Sequence, residues 1–268
     1  MIKNFIRRYS VGIAVVSLAV VSLSAVAYAS HSWGGYHWAR ASNPFTLKLG
    51  DNVSTTWDAY LNSASSDWSA SSVLDTAVVA GQSRKNCRAT LGRVEVCNSK
   101  YGNNGWLGIA QIWASGTHIV QGTAKLNDTY FNTPKYNTAP WKNMVVCQEI
   151  AHTFGLDHQD ENFTNANLGT CMDYTNDPDG SIFGQLSNEH PNQHDFEELG
   201  IIYSHLDSTS TLSQSSQTTL QGNPEIDHSD PSSWGKEVRK SSDGRGSVFE
   251  RDLGNKNKVF TFVVWAKE

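Results

Sequence analysis

Three observations predict an α+β fold for this 268-residue chain. Strand-like segments cluster in its first half around one helix-like stretch, two helix-like stretches come late, and a separate strand pair closes the chain after a polar run. With 38% hydrophobic residues, nine Trp, nine Tyr and ten Phe, the sequence has the material for a packed core and does not read as disordered.

Residues 1–29 read as an export signal. Lys3, Arg7 and Arg8 precede an apolar run over 11–26, and Ala27-Tyr28-Ala29 fits the A-x-A cleavage pattern, making Ser30 the expected new N-terminus. The remainder carries 18 basic and 26 acidic residues, a net charge of −8. That balance argues against nucleic acid or an anionic membrane as the main partner. Mean hydropathy is −0.43 and no later segment is long and apolar enough to span a bilayer, so the expectation is a secreted protein free of the membrane after signal cleavage.

Beyond the signal, residues 45–49 alternate as a strand, and Trp57, Tyr60, Leu61 and Trp68 give 55–69 a helical spacing. Residues 73–79 read as a strand, 87–97 as a hairpin, 106–114 as a strand, and 119–126 as its neighbour after the Ser115-Gly116-Thr117 turn. An apolar helix is expected over 143–154 and a second over about 192–204, after Pro191. These elements form one main domain, 30–206. A polar linker (207–233) leads to a C-terminal extension (234–268), where 247–253 and 258–265 flank the turn Gly254-Asn255-Lys256-Asn257.

Cys87, Cys97, Cys147 and Cys171 are an even set in an exported chain and read as two disulfides. Three pairings exist, and the sequential one is favoured because Cys87 and Cys97 flank the expected hairpin. A thiolate metal site would need closer pairs such as C-x-x-C, which the chain lacks.

The chemically informative stretch is C-Q-E-I-A-H-T-F-G-L-D-H from Cys147 to His158. On a helix, Gln148 and His152 lie one turn apart on one face, with Glu149 beside them. Gly155 can take a positive φ and turn the chain so that His158 joins them. Three donors around one point with a neighbouring carboxylate suit an open metal site whose bound water needs a base.

This pattern resembles that of the metzincin metallopeptidases, H-E-x-x-H-x-x-G-x-x-H with a later Met-turn, supplied here by Cys171-Met172-Asp173-Tyr174. Within that group the element order looks most like the matrixin type, and the resemblance covers about residues 45–204. It implies a twisted, mostly parallel sheet with an antiparallel edge strand, an active-site helix and a C-terminal helix. It also implies a metal held by Gln148, His152 and His158, Glu149 as general base, Met172 in the Met-turn and Tyr174 as a transition-state stabiliser. The 106–114 strand would be the cleft edge on which an extended protein or peptide substrate pairs. A Cys147–Cys171 bridge would then clamp the active-site helix to the Met-turn.

Gln148 departs from the family, which has histidine there. An amide oxygen is a weaker ligand for Zn²⁺ than imidazole. Three arrangements are compatible with the change: ligation by Gln148 with weaker binding or a different divalent metal such as Cu²⁺; His152 and His158 with another ligand, Tyr174 being the best placed; or an empty site in a catalytically inactive, metzincin-like binding module. The first is the expectation, a secreted metalloendopeptidase.

The remaining candidates have ordinary readings. Asp157, Asp160 and Glu161, and separately Asp177 and Asp179, offer Ca²⁺-type ligands, but polar turns account for both. His190 and His194 fit packing or capping, and His31, His37, His118, His205 and His228 read as ordinary surface or partly buried residues. Only about fifteen residues, none of them cysteine, separate the signal from the first strand. A cysteine-switch prodomain is therefore not expected, and the C-terminal tail is the segment long enough to impose latency.

Overall fold

A computed structural model describes residues 30–82, 86–213 and 226–267. The expected export signal and residues 214–225 of the expected linker lie outside the described residues. The elements run β1 (His37–Trp38), β2 (Phe45–Asn52), α1 (Asp58–Trp68), β3 (Leu74–Ala80), β4 (Val94–Ser99), β5 (Trp106–Ser115), β6 (His118–Asn127), α2 (Asp128–Phe131), α3 (Ala139–His152), α4 (Gln193–Ile202), a 3-10 turn (Pro231–Trp234), β7 (Lys236–Lys240), β8 (Gly246–Gly254) and β9 (Asn257–Trp265). The α+β class follows from this order.

All nine strands join one sheet, in the order β3-β2-β4-β6-β5-β9-β8-β7, with β1 on β6. The half containing β3, β2, β4, β6 and β1 is parallel, and every pairing from β6 through β5 and β9 to β7 is antiparallel. The sheet is thus mixed, compatible with the expected parallel part, but β5, expected at the edge, is interior because β9 pairs along its free side. The segment read as an extension adds three strands to the sheet, not two, since β7 joins the expected hairpin.

Burial explains which segments take which form. In β2, Phe45, Leu47 and Leu49 are buried while Thr46 and Lys48 are exposed, the alternation of a strand covered on one face. Strands β5 and β6 are buried on both faces for nearly their whole length. Leu107, Ala110 and Ile112 of β5 enter the main core with α1 and α3, while Trp106, Ile109 and Trp113 enter a second cluster with Trp234, Phe249, Val259 and Val263 of the tail. Strand β9 is divided in the same way, with Phe260, Phe262 and Val264 in the main core. Two strands alone would be marginal in water; here the tail's stability comes from the sheet it extends.

The 87–97 stretch is not a hairpin. Residues 94–99 form a parallel strand between β2 and β6, and the Cys87–Cys97 disulfide ties its middle to the preceding turn. The second disulfide joins Cys147 to Cys171. Within the expected linker, Asp207 N–H donates to the Arg40 carbonyl and Thr211 N–H to that of Ala39, each at 2.9 Å, so this part is held against the N-terminal strand. Among the described residues no helix is long and apolar enough to cross a membrane.

Candidate metal centre and its cover

Helix α3 opens with Pro140 in its first turn, where the missing N–H costs nothing, and is buried continuously from Met144 to His152. Its last two turns carry Gln148, Glu149 and His152. The chain then reverses at Gly155, whose φ is 99°. A Cβ there would lie 2.1 Å from the Tyr36 carbonyl oxygen, so both the dihedral and the packing require glycine. The reversal brings His158 back to His152, with their Nε2 atoms 3.1 Å apart.

The Cys171–Tyr174 segment returns beside this stretch, Gln159 N–H donating to the Met172 carbonyl at 2.7 Å. Met172 is fully buried, its N–H bonded to Thr170 Oγ1. Gln148 Nε2 donates to the Cys171 carbonyl at 2.9 Å, which fixes the amide and leaves Oε1 buried without a hydrogen-bond partner among the described residues. The Cys147–Cys171 bridge joins the two elements just beside this contact. Tyr174 packs its ring 4.3 Å from that of His158 and stacks on Phe163, and its hydroxyl has no hydrogen-bond partner among the described residues.

The tautomers of the two histidines follow from their outer nitrogens. His152 Nδ1 lies 2.9 Å from the Leu156 carbonyl and must donate to it, and His158 Nδ1 lies 3.1 Å from Glu161 Oε1. Both Nε2 atoms therefore present lone pairs to each other, which is repulsive unless a proton or a cation is shared. Their separation is close to that of two imidazole nitrogens each about 2.0–2.1 Å from one zinc ion. Glu149 is fully buried, and among the described residues neither carboxylate oxygen has a hydrogen-bond partner. Gln148 Oε1, both Glu149 oxygens and the Tyr174 hydroxyl are buried without hydrogen-bond partners among the described residues, and the facing nitrogens can share a proton or a cation.

Burial dominates the electrostatics. Desolvation holds Glu149 well above the usual carboxylate range and His152 well below the usual imidazole value, the latter helped by the neighbouring His158. Burial also raises Tyr174, reinforced by the charges of Glu161 and Glu149, so its hydroxyl stays protonated and remains a donor.

The expected open cleft edge is occupied. Strand β9 pairs antiparallel along β5, with Ala110 opposite Phe262 and Ile112 opposite Phe260. The Phe262 ring lies flat on the His152 imidazole. Gly246 of β8 abuts Tyr174, where a Cβ would come within 2.7 Å of the hydroxyl oxygen. From β7, Arg239 forms a two-pronged ion pair with Asp157, reaches Glu161 Oε1 at 3.0 Å, and lies over the Trp33 ring. Burial pushes the Asp157 carboxyl up, but the Arg239 guanidinium and nearby His158 more than offset this and hold it below its usual value. As a result Gln148, Glu149, His152 and Tyr174 are all at most 1% exposed.

Arg239, Gly246 and Phe262 are the site neighbours that the sequence did not reveal. Each is unremarkable locally, and only the long-range pairing of β9 with β5 brings them here. Two of the carboxylates considered for Ca²⁺, Asp157 and Glu161, are engaged by Arg239 and His158, and Asp160 caps a turn at Asn162. Asp177 Oδ2 accepts from the Ile182 and Phe183 N–H groups and Asp179 Oδ1 from Ser181, as polar turns do.

In comparisons with known proteins, the chain matches no protein-family model and no curated protein.

Proposed function

We propose that this chain is a secreted metal-dependent endopeptidase of metzincin type whose cleft is filled by its own C-terminal strands. The observation that carries the reading is the 3.1 Å approach of the His152 and His158 Nε2 atoms, with Glu149, on the same helix as His152, fully buried and without a hydrogen-bond partner among the described residues. Gln148 Oε1 is the third ligand, freed for that role because Nε2 is held by the Cys171 carbonyl. The two disulfides support maturation in an oxidising, extracytoplasmic compartment.

A bound Zn²⁺ or Cu²⁺ ion supplies Lewis acidity, polarising the scissile carbonyl and acidifying water. Glu149 takes a proton from the attacking water as its oxygen bonds to the carbonyl carbon, then delivers a proton to the amine as the C–N bond breaks. The Tyr174 hydroxyl, kept protonated by burial, donates a hydrogen bond to the carbonyl oxygen as negative charge develops there. An extended protein or peptide substrate pairs with β5 in the place β9 takes here.

The test is metal binding and casein hydrolysis by the full chain in an Arg239→Ala background, which loosens the cover. Loss of one bound ion on His152→Gln, together with loss of hydrolysis but not of the ion on Glu149→Ala, is the expected result. An ion bound with no hydrolysis in any variant would favour the second reading, a non-catalytic metzincin-like module. That reading draws its support from the complete burial of Glu149.

A further inference from the structure

Three histidines read singly as ordinary residues come together away from the cleft. His37 lies on β1 and His118 opens β6, and the parallel pairing of these strands sets the two residues directly opposite each other. His205 and Asp207 follow α4, on a segment anchored by the bond from Asp207 N–H to the Arg40 carbonyl. The His37 ring packs edge-on against both other imidazoles, with centroids 5.0 Å from His118 and 4.6 Å from His205.

Their polar atoms converge. His37 Nδ1 lies 2.8 Å from the Gly35 carbonyl and must donate to it, so Nε2 carries the lone pair. That atom is 3.1 Å from His205 Nε2 and 3.6 Å from Asp207 Oδ2. Asp207 Oδ1 is 3.2 Å from His118 Nε2 and 3.7 Å from His205 Nε2. Arg40 binds the other carboxylate oxygen, Nη1 to Oδ2 at 2.9 Å, and its Nη2 donates to the Tyr203 and His205 carbonyls. The arginine thus holds both the carboxylate and the chain carrying His205, while Oδ1 stays directed at the histidines. His37 is buried, whereas the His118 and His205 side chains are 35% and 51% exposed, so an ion from solvent has access.

We propose that His37, His118, His205 and Asp207 form a second binding site for a first-row divalent cation of the zinc type. Three imidazoles and one carboxylate from three chain segments match the nitrogen-rich, four-donor set that zinc prefers. Bound there, the ion ties the N-terminal strand to β6 and to the chain leaving α4. The alternative occupant is a single shared proton, which would satisfy the facing His37 and His205 nitrogens without any metal. This site shares no residue with the Gln148–His152–His158 centre and does not depend on the function proposed for it.

The full chain, stripped with chelator, is titrated with Zn²⁺ at pH 7.5 against a chromophoric competitor, with circular dichroism monitoring the fold. His118→Ala/His205→Ala removes two partly exposed side chains. It is expected to bind one ion fewer than the wild type, or to bind it at least 100-fold more weakly, with unchanged secondary structure. His152→Gln is expected to retain this ion, and Co²⁺ in that variant to give a tetrahedral visible absorption that His118→Ala/His205→Ala/His152→Gln lacks. Equal stoichiometry and affinity with and without His118 and His205, or a His152→Gln chain that binds no ion, would overturn the site. Loss of an ion on His152→Gln alone reports on the other centre.

Discussion

The ring of Phe262 stacks on the imidazole of His152 with centroids 4.4 Å apart and planes 7° from parallel. This contact follows from register, since pairing Phe262 with Ala110 directs its side chain to the α3 side of the sheet. A phenyl ring there excludes both water and a substrate carbonyl from that face of His152. The cover is fastened at its other end by Arg239 on Asp157 and Glu161. Because Arg239 is only partly buried, Arg239→Ala should leave the fold intact while weakening the fastening by breaking charge-assisted bonds. The expected outcome is casein hydrolysis at least about tenfold faster than wild type and faster removal of bound metal by chelator. Unchanged values for both, in Arg239→Ala and also in Phe262→Ala, would mean that the tail is a permanent part of the scaffold and no gate.

Gly108 makes room for the proposed base. A Cβ at this position would lie 2.4 Å from Glu149 Oε1 and 2.7 Å from Val145 Cγ1. Gly108→Ala therefore must push the carboxylate or the strand aside. Overpacking of this kind costs about 1–3 kcal/mol. Thermal unfolding should show that loss, and in an Arg239→Ala background hydrolysis should fall further than stability predicts, since Glu149 is displaced directly. A Gly108→Ala chain that unfolds like wild type would show that the strand can shift without moving Glu149.

The helix, its terminating glycine and the two histidines were legible because they interact through local spacing: one helical turn between 148 and 152, then a short reversal. The sequential pairing of the disulfides holds, Cys147 to Cys171 and Cys87 to Cys97, but the hairpin that was the reason for expecting the latter is absent. Strand β4 misled because V-E-V-C alternates equally well in a hairpin and in a central parallel strand. Its true neighbours, β2 and β6, are about 40 and 30 residues away in sequence. The position of β9 was illegible by the same logic: K-V-F-T-F-V-V-W declares a strand but not its partner. The histidines at 37, 118 and 205 carry no spacing signal at all, and only the β1–β6 pairing and the return of the chain after α4 bring them together.

The two disulfides should separate structural from functional clamping. Each closes a short loop and, in the chain-entropy model, contributes about 3 kcal/mol. Cys87→Ala/Cys97→Ala removes a bridge on β4, which is separated from β5 by β6, and should lower stability alone. Cys147→Ala/Cys171→Ala frees the element whose carbonyl holds Gln148 Nε2, so it should also weaken metal binding at that centre by about 10–100-fold. Zinc titration of both variants, made in the His118→Ala/His205→Ala background to leave one centre, checks this. Equal affinities would show that the Gln148–Cys171 contact survives without the covalent bridge.

Asp173, between Met172 and Tyr174, gives the Met-turn a pH dependence of its own. It is fully buried; Oδ2 accepts from the Leu168 N–H and Asn188 Nδ2, while Oδ1 has no hydrogen-bond partner among the described residues. Burial raises its pKa to about 6, the two hydrogen bonds offsetting only part of the desolvation. A carboxyl whose folded value lies above its unfolded value of 3.8 binds its proton more tightly when folded. Its contribution is therefore fully present below the unfolded value and is lost as pH rises towards 6 and beyond. Two units correspond to about 3 kcal/mol. Asp173→Asn removes this titration while adding a constant cost for its unpartnered amide. The stability of wild type relative to Asp173→Asn, from urea unfolding, should thus fall between pH 4 and 6 and then level off. A difference that stays flat across that range would mean that the buried oxygen is solvated, or that it is partnered by an ion in solution.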